Sequence, residues 1–295
     1  MGEDLSAGRK LLAALRFFWP WLRGLRGPPL PRAEQALRGW TRVAPPLSRL
    51  PLCLEVVLLL IDELLKLHEP EMALRTALAV HSYLRPSELD SLRAWQVVPA
   101  TGVILSPSLV LHPYEDGCPS KTGQFDESLL LTGGVLHEVA GPIARLASSL
   151  APHDYLFCCG QAVFRRVFCK ALLRIGLANR TVYQLRHSGA SLDYALGLRP
   201  LTEVQRRGRW ASFASVRRYE KGGRLADQAR RLPRPLQLRA AKLLEQVPSL
   251  LVDAGSAAVA RRRQQARGLL DHLDPKLCFD AASRAASAGP SRSGR

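Results

Sequence analysis

The sequence predicts a mainly α-helical protein with one small antiparallel β-sheet, an α+β fold. Apolar residues recur with helical periodicity over residues 52–83, and again from Gly141 onward. Between these regions lie three short runs of strand-forming residues, at 95–98, 102–111 and 128–131. Strands this close in sequence pair most simply as antiparallel neighbours. We therefore expect one small sheet between two groups of helices.

The first helical region contains two predicted helices. Leu54, Val57 and Ile61 fall on one face of the first helix, and Pro70 begins a second helix that runs toward Arg85. Later helices are predicted at residues 142–150, 162–175, 183–196, 202–209 and 212–220, and arginine-rich helices at 226–246 and 258–273.

Composition divides the chain into four predicted segments. Residues 1–47 mix tryptophan, arginine and proline, and read as a short N-terminal remnant or linker that ends near a proline boundary. Residues 48–224 form the main domain. Residues 225–280 are predicted to be a helical C-terminal extension, and the Ala/Ser/Gly/Arg-rich residues 281–295 a disordered tail.

The net charge indicates a polyanionic partner. The 295 residues carry a formal charge of +17, and the pI is near 10.4. Neutralising phosphates with basic side chains releases condensed counterions, so a chain this basic is typical of nucleic-acid binding. Of the 42 basic residues only seven are lysine. A coding bias toward arginine therefore explains part of the charge.

Several other classes of protein are not favoured. The six cysteines form no CxxC pair and show no zinc-finger spacing with histidine, which predicts reduced thiols in an intracellular protein without a bound metal. The N-terminal apolar run is interrupted by Arg16 and Pro20, which argues against a signal peptide. The apolar run at residues 56–65 is too short to span a bilayer, so no membrane association is expected. There is no Gly-rich phosphate loop, G-x-S-x-G or H-E-x-x-H motif.

A set of widely spaced polar residues suits attack on a phosphodiester by a phenol. Arg186, Trp210 and Tyr219 follow one another within 34 residues, Arg85 lies far upstream, and Lys121 occupies a turn between them. Such a reaction needs a nucleophile, donors for the charged phosphate oxygens, a base for the phenol proton and an acid for the leaving oxygen.

Each of these residues has a functional and a structural interpretation. The guanidinium groups of Arg186 and Arg85 can bind phosphate oxygens in bidentate fashion, although Glu88 can instead pair with Arg85 or cap the next helix. Lys121 can protonate the leaving oxygen, or be a solvated turn lysine. The indole N–H of Trp210 can donate to phosphate, or the ring can anchor the core.

The two tyrosines are interpreted in the same way. Tyr219 lies among Arg217, Arg218 and Lys221, and neighbouring positive charge is expected to favour its phenolate. The alternative is a tyrosine that packs at a helix end. Tyr183 lies one helical turn before Arg186, so it can hydrogen-bond the phosphate or only pack.

These motifs together resemble the tyrosine recombinases, the family of phage integrases and mobile-element enzymes. The family has an arginine in an R-x-S-E-L-like segment, a hairpin lysine, an H-x-L-R-H motif, a later His or Trp, and a tyrosine nine residues further on. In this chain the corresponding residues are Arg85–Leu89, Lys121, Tyr183–His187, Trp210 and Tyr219.

The resemblance covers about residues 48–224 and implies a tyrosine-recombinase-like catalytic domain. Tyr219 would form a 3′-phosphotyrosyl link to double-stranded DNA and release a 5′-hydroxyl, with no metal or cofactor. The resemblance implies an enzyme of DNA recombination or integration that works as a homo-oligomer, a tetramer, on DNA and is nuclear in a eukaryote. The DNA-binding residues implied around the nucleophile are Arg207, Arg209, Arg217, Arg218 and Lys221.

The chain departs from the family in two places. Tyr183 stands where the family has a histidine that accepts a proton, and a phenol is a weaker base near neutral pH. About 45 residues precede the main domain, too few for the family's N-terminal DNA clamp. Two alternatives therefore stay open: a DNA-binding descendant without catalysis, and a relaxing enzyme of the type IB topoisomerase kind. A purely structural helical protein is the remaining possibility.

Overall fold

The computed structural model describes residues 5–23, 30–44, 50–120 and 123–271. The predicted fold class, mainly helical with a small antiparallel sheet, is confirmed. The residue contacts separate the chain into two units, Met1–Arg49 and Leu50–Arg295.

The described part of the first unit is a helical hairpin. Helix α1 (Leu5–Phe18) packs on helix α2 (Pro31–Val43), and a short 3₁₀ turn, Pro20–Arg23, follows the first helix. Proline at the first position of α2 fits there because it has no N–H to leave unsatisfied. The ion pair between Arg16 and Glu34, at 2.7 Å, joins the two helices.

The second unit contains the remaining elements. Its helices are α3 (Leu54–Lys66), α4 (Pro70–Ser82), α5 (Pro86–Ser91), α6 (Ala140–Ser148), α7 (Gln161–Arg174), α8 (Tyr183–Ala195), α9 (Leu201–Gly208), α10 (Phe213–Val216), α11 (Gly222–Arg230), α12 (Arg234–Glu245) and α13 (Val247–Asp271). Its strands are β1 (Val97–Val98), β2 (Ser108–Leu111) and β3 (Glu127–Leu130).

Helix α4 is the centre of this unit. Every one of its residues is buried, and it contacts α3, α6, α8 and α13. A helix that is buried around its whole circumference needs neighbours on all sides, and its buried charges need partners. Arg75 pairs with Asp90, and Glu71 pairs with Arg262. The helix ends of α4, α8 and α9 carry most of the predicted site residues.

The strands form one three-stranded antiparallel sheet, in the order β1-β2-β3, within the described residues. Val97 pairs with Leu109, and Leu109 pairs with Leu129. Leu109 and Leu111 are buried, whereas the intervening residue is only half-buried, so the sheet presents one face to the core.

Two of the predicted boundaries differ from the structure. Trp95 lies in a 3₁₀ turn rather than a strand, and residues 102–107 lie outside any strand. The predicted helix 226–246 is two helices because Pro233 cannot continue a helix and restrains the residue before it. The predicted tail 281–295 lies outside the described residues, and the division into four segments stays a prediction. Among the described helices none has the length and apolar character needed to cross a bilayer.

The crossing of α4 and α8 depends on Gly189. A Cβ atom at this position would lie 1.8 Å from the carbonyl oxygen of Val80 and 2.8 Å from the ring of Tyr83. The first of these atoms belongs to the backbone of a fully buried helix, which cannot move aside. The absent side chain therefore sets the distance between the two helices.

We predict that Gly189→Ala lowers the free energy of unfolding by about 3 kcal/mol, because the added methyl group forces the two helices apart. Urea denaturation measures this change. The control is Gly223→Ala in helix α11, where an added Cβ meets nothing within 4 Å. Equal midpoints for the two variants would contradict the proposed close crossing.

Candidate functional site

The backbone at the end of α4 positions Arg85. Tyr83 ends the helix in the left-handed conformation, with φ of 54°, and Arg85 is extended, with φ of −71° and ψ of 149°. An extended residue is expected before Pro86, since proline disfavours a helical conformation at the preceding position. Helix α5 then begins at the proline, which places Glu88 in its first turn.

Glu88 is a buried carboxylate that two arginines share. Its Oε2 accepts from the backbone N–H of Arg85 at 2.7 Å and from the guanidinium of Arg209 at 2.6 Å. Its Oε1 accepts from the guanidinium of Arg85 at 2.5 Å. Both structural interpretations of Glu88 are therefore correct, since it pairs with Arg85 and also caps the helix.

Arg186 is buried in helix α8 and connects two other helix ends. One terminal nitrogen donates to the carbonyl oxygen of Tyr83, and the other donates to that of Gly208 at 2.5 Å. Its Nε–H is buried and has no hydrogen-bond partner among the described residues. Since a guanidinium carries five N–H donors, these two bonds leave donors for a ligand.

The charges of these groups are coupled. Burial, then the charges of Arg209 and Arg85, lower the pKa of Arg186 to about 10, whereas Glu88 acts to raise it. Arg186 therefore keeps its charge at neutral pH. Burial acts to raise the pKa of Glu88, but Arg209, the Arg85 backbone N–H and the Arg85 charge outweigh it, so the net shift is downward.

The segment Gly208-Arg209-Trp210 folds the indole back over the site. Arg209 ends helix α9 in the left-handed conformation, with φ of 55°. The indole then lies on Gly208, where a Cβ atom would be 1.8 Å from the ring. The guanidinium carbon of Arg186 is 4.7 Å from the centre of the same ring, which is cation–π geometry.

Tyr219 lies against the other rings of the site. The predicted helix 212–220 is a single turn, α10, followed by the 3₁₀ turn Arg217–Tyr219. The phenol ring is 4.4 Å from the Trp210 ring and 5.3 Å from the His187 ring, between centroids, and its side chain is buried.

The expectation that positive charge favours the phenolate of Tyr219 is wrong for this structure. Burial is the largest influence and raises the pKa of Tyr219 to about 12, although Arg186 and Arg218 act to lower it. The exposed side chain of Arg218 is surrounded by water, so its charge does not offset the desolvation of the phenol.

Tyr183 is the first residue of α8, and His187 lies one turn further on. Their rings meet edge to face at 5.0 Å, and His187 in turn stacks on Tyr219. The sequence places His187 directly after Arg186, but its contact with Tyr219 arises only when α8 packs near the turn at residues 217–219.

The five predicted DNA-binding residues have different environments. Arg217 and Arg218 are exposed, and Lys221 is half-buried. Arg209 donates to Glu88 and also approaches Glu127 at 3.4 Å. Arg207 is buried and donates to the carbonyl oxygens of His81 and Leu130, so it joins α9 to α4 and β3 and presents no free face to a ligand.

A second buried network supports the site from behind. Asp193 accepts from the Tyr83 hydroxyl and from Arg199, and its other oxygen accepts from the Val135 N–H at 2.6 Å. Arg199 also donates to Glu203 at 2.9 Å. The carbonyl oxygen of Tyr83 accepts from Arg186, and the hydroxyl of Tyr83 donates to Asp193. This network therefore restrains Tyr83, which in turn positions Arg186.

The structure brings together Arg85, Arg186, Trp210, Tyr219 and Tyr183, whereas Lys121 lies outside the described residues. Sequence reasoning missed the Arg209–Glu88 pair and the stacking of His187, because both contacts join residues that are distant in sequence. Within the described residues, no group of three His, Cys, Asp or Glu side chains could hold a metal ion.

Comparison with known proteins finds similarity in structure only. No protein-family model matches the chain, and no curated protein matches it. Among solved structures, the chain is similar to XerA recombinase, with 16% identity, a TM-score of 0.46, and coverage of 77% of this chain and 84% of that one. It is also similar to XerH recombinase bound to difH in a post-cleavage complex (17% identity, TM-score 0.46, coverage 75% and 71%).

A lambda integrase(75–356) dimer bound to a COC′ core site is similar as well, with 14% identity, a TM-score of 0.41, and coverage of 75% of this chain and 80% of that one. Likeness at this level does not carry chemistry from one protein to another.

We predict that Glu88→Gln destabilises the protein by about 3 kcal/mol near neutral pH, because two arginines lose their buried counter-charge. The pKa of Glu88 is lower in the folded protein than its ordinary value of 4.5. The carboxylate therefore contributes fully to the folding free energy above pH 4.5, and this contribution is lost as the pH falls through the pKa of the folded state. The gap between wild type and variant should therefore shrink in acid.

Urea denaturation at several pH values between 3 and 7 measures this gap. The control is Glu115→Gln, which removes an exposed carboxylate. A gap that stays constant over this range would contradict an ionised Glu88 between the arginines.

Proposed function

We propose that the chain is a DNA strand-breaking and rejoining enzyme of the tyrosine recombinase type. One observation carries the proposal: the guanidinium of Arg186 and the phenol of Tyr219 lie against the same indole, that of Trp210. Arg85 belongs to the same cluster, because it and Arg209 both donate to Glu88.

In the proposed reaction, the phenol oxygen of Tyr219 attacks the phosphorus of a DNA phosphodiester. The new O–P bond forms as the bond from phosphorus to the 5′-oxygen breaks, so a 3′-phosphotyrosyl link and a 5′-hydroxyl result. The phenol proton leaves to a base, and the 5′-oxygen takes up a proton. Reversal by a 5′-hydroxyl restores the DNA, so no cofactor is needed to reseal the strand.

The arginines supply the electrostatic part of this chemistry. Charge builds up on the non-bridging phosphate oxygens during attack, and donors fixed beforehand stabilise it most. Arg186 is held by two backbone carbonyls and keeps buried N–H capacity, which suits such a donor. The side chain of Arg85 pairs with Glu88 and is 17% exposed, so part of it stays accessible to a ligand.

The surroundings of Tyr219 suit contact with a duplex. Arg217 and Arg218 are exposed beside the nucleophile, and Lys221 is half-exposed after it. Contacts from these residues to phosphate would fix the register of the DNA rather than read its sequence. Arg207 is assigned a structural role instead, because its donors are taken by backbone carbonyls.

A DNA-binding protein without catalysis is the second candidate. It is favoured by the phenol of Tyr183 at the family's histidine position, and by burial, which raises the pKa of Tyr219 to about 12. At neutral pH almost none of that phenol is ionised, so cleavage requires a nearby base. This candidate predicts salt-sensitive DNA binding without a covalent product.

We predict that wild-type protein forms a covalent adduct with a nicked suicide DNA substrate, and that Tyr219→Phe abolishes it, since the only lost atom is the attacking oxygen. Because the target site is unknown, a random-sequence pool and DNA flanking the gene serve as substrates. The adduct is measured on a denaturing gel, and DNA binding is measured separately at low salt.

The matched control is Tyr194→Phe in the same helix as Arg186, where the ring is 37% exposed. It should leave the adduct intact. An adduct that survives in Tyr219→Phe would overturn the assigned nucleophile, and DNA binding without any adduct in the wild type would favour the second candidate.

A further inference from the structure

His112 is the unexplained residue at the edge of the candidate site. It directly follows strand β2 and adopts a left-handed backbone conformation, with φ of 51°. Residues other than glycine rarely adopt this conformation, and the strain has to be balanced by the surrounding structure. The carbonyl oxygen of His112 accepts from the Asp126 backbone N–H at 2.9 Å, which helps to hold it.

The imidazole of His112 is directed at Glu88. Its Nε2 lies 3.7 Å from Glu88 Oε1, beyond hydrogen-bond distance. The same nitrogen is buried and has no hydrogen-bond partner among the described residues. A buried polar atom without a partner is uncommon in a folded protein and calls for an explanation.

Two further buried nitrogens share this property and this neighbourhood. The Nε–H groups of Arg186 and Arg209 have no partner within the described part of the chain. Arg209 donates to Glu88 through a terminal nitrogen. Arg186 lies near these two residues, since the charge of Arg209 lowers the pKa of Arg186 and the charge of Glu88 raises it. Glu88 already accepts hydrogen bonds from Arg85 and Arg209, so it does not satisfy these three nitrogens. An anion with several acceptor oxygens, such as a phosphate, can accept from them.

We propose that His112 is a further phosphate-binding residue of this site, whose Nε2–H donates to an oxygen of the phosphate held by Arg85 and Arg186. This inference rests on the proposed function. It gives the site a third side chain whose donor faces the shared carboxylate of Glu88.

The charged groups around His112 come from three elements. Glu88 and Arg85 face it from the start of α5, Arg209 lies beyond Glu88 at the end of α9, and Glu127 lies on the neighbouring strand β3.

The test compares wild type with His112→Asn. Asparagine tolerates the left-handed backbone better than other residues, so this variant should fold, which thermal melting verifies. The control is His153→Asn, which removes an exposed imidazole. The first probe is inorganic phosphate, titrated into ¹⁵N-histidine-labelled protein, with the ring nitrogens followed by NMR.

We expect phosphate to shift the Nε2 resonance of His112, with no such change at His153. The second readout is the rate of adduct formation at neutral pH. His112→Asn should be slower by about 10²-fold, because the phosphate oxygens lose one donor in the transition state.

A His112 ring that does not respond to phosphate would overturn the proposal, as would an active wild type whose rate of adduct formation the asparagine variant reproduces. The two proposals fail separately. A wild type that forms no adduct contradicts the proposed function, whereas the phosphate titration still decides whether His112 binds the anion.

Discussion

The carboxylate of Glu88 is the group on which the rest of the site depends. Arg85 and Arg209 both donate to it, and its charge offsets part of the repulsion that these arginines exert on buried Arg186. Several cations within a few ångströms of one another, away from bulk water, would otherwise be strongly destabilising. Glu88 and Glu127 offset only part of the charge of Arg85, Arg186 and Arg209, and the remaining positive charge is the condition that a phosphate-binding site requires.

The backbone supplies the second constraint. Arg186 donates to carbonyl oxygens at the C-terminal ends of α4 and α9, where helices leave carbonyls unsatisfied and carry partial negative charge. Each helix ends in a left-handed residue, Tyr83 in one case and Arg209 in the other. One guanidinium therefore fixes two chain reversals, and these reversals carry Arg85 and Trp210 into the site.

Much of this arrangement follows from local sequence, and the rest does not. Apolar periodicity predicts α3, α4 and α8. The order and spacing of Arg85, Arg186, Trp210 and Tyr219, with the family resemblance that they carry, predict these four as site residues. The burial of Tyr219, which raises its pKa, depends on packing against residues distant in sequence. The roles of Arg207 and Arg209 also depend on packing. Arg207 donates to backbone carbonyl oxygens, whereas Arg209 donates to Glu88. No local sequence pattern distinguishes these two arginines, which are only two residues apart.

The most direct test of the account is to identify the modified residue. Protein trapped on the suicide substrate would be digested with nuclease and protease, and the peptide that carries a nucleotide would be sequenced by tandem mass spectrometry. The account predicts a nucleotide joined through its 3′-phosphate to the oxygen of Tyr219. A nucleotide on any other residue, Tyr183 and Tyr194 included, would contradict it.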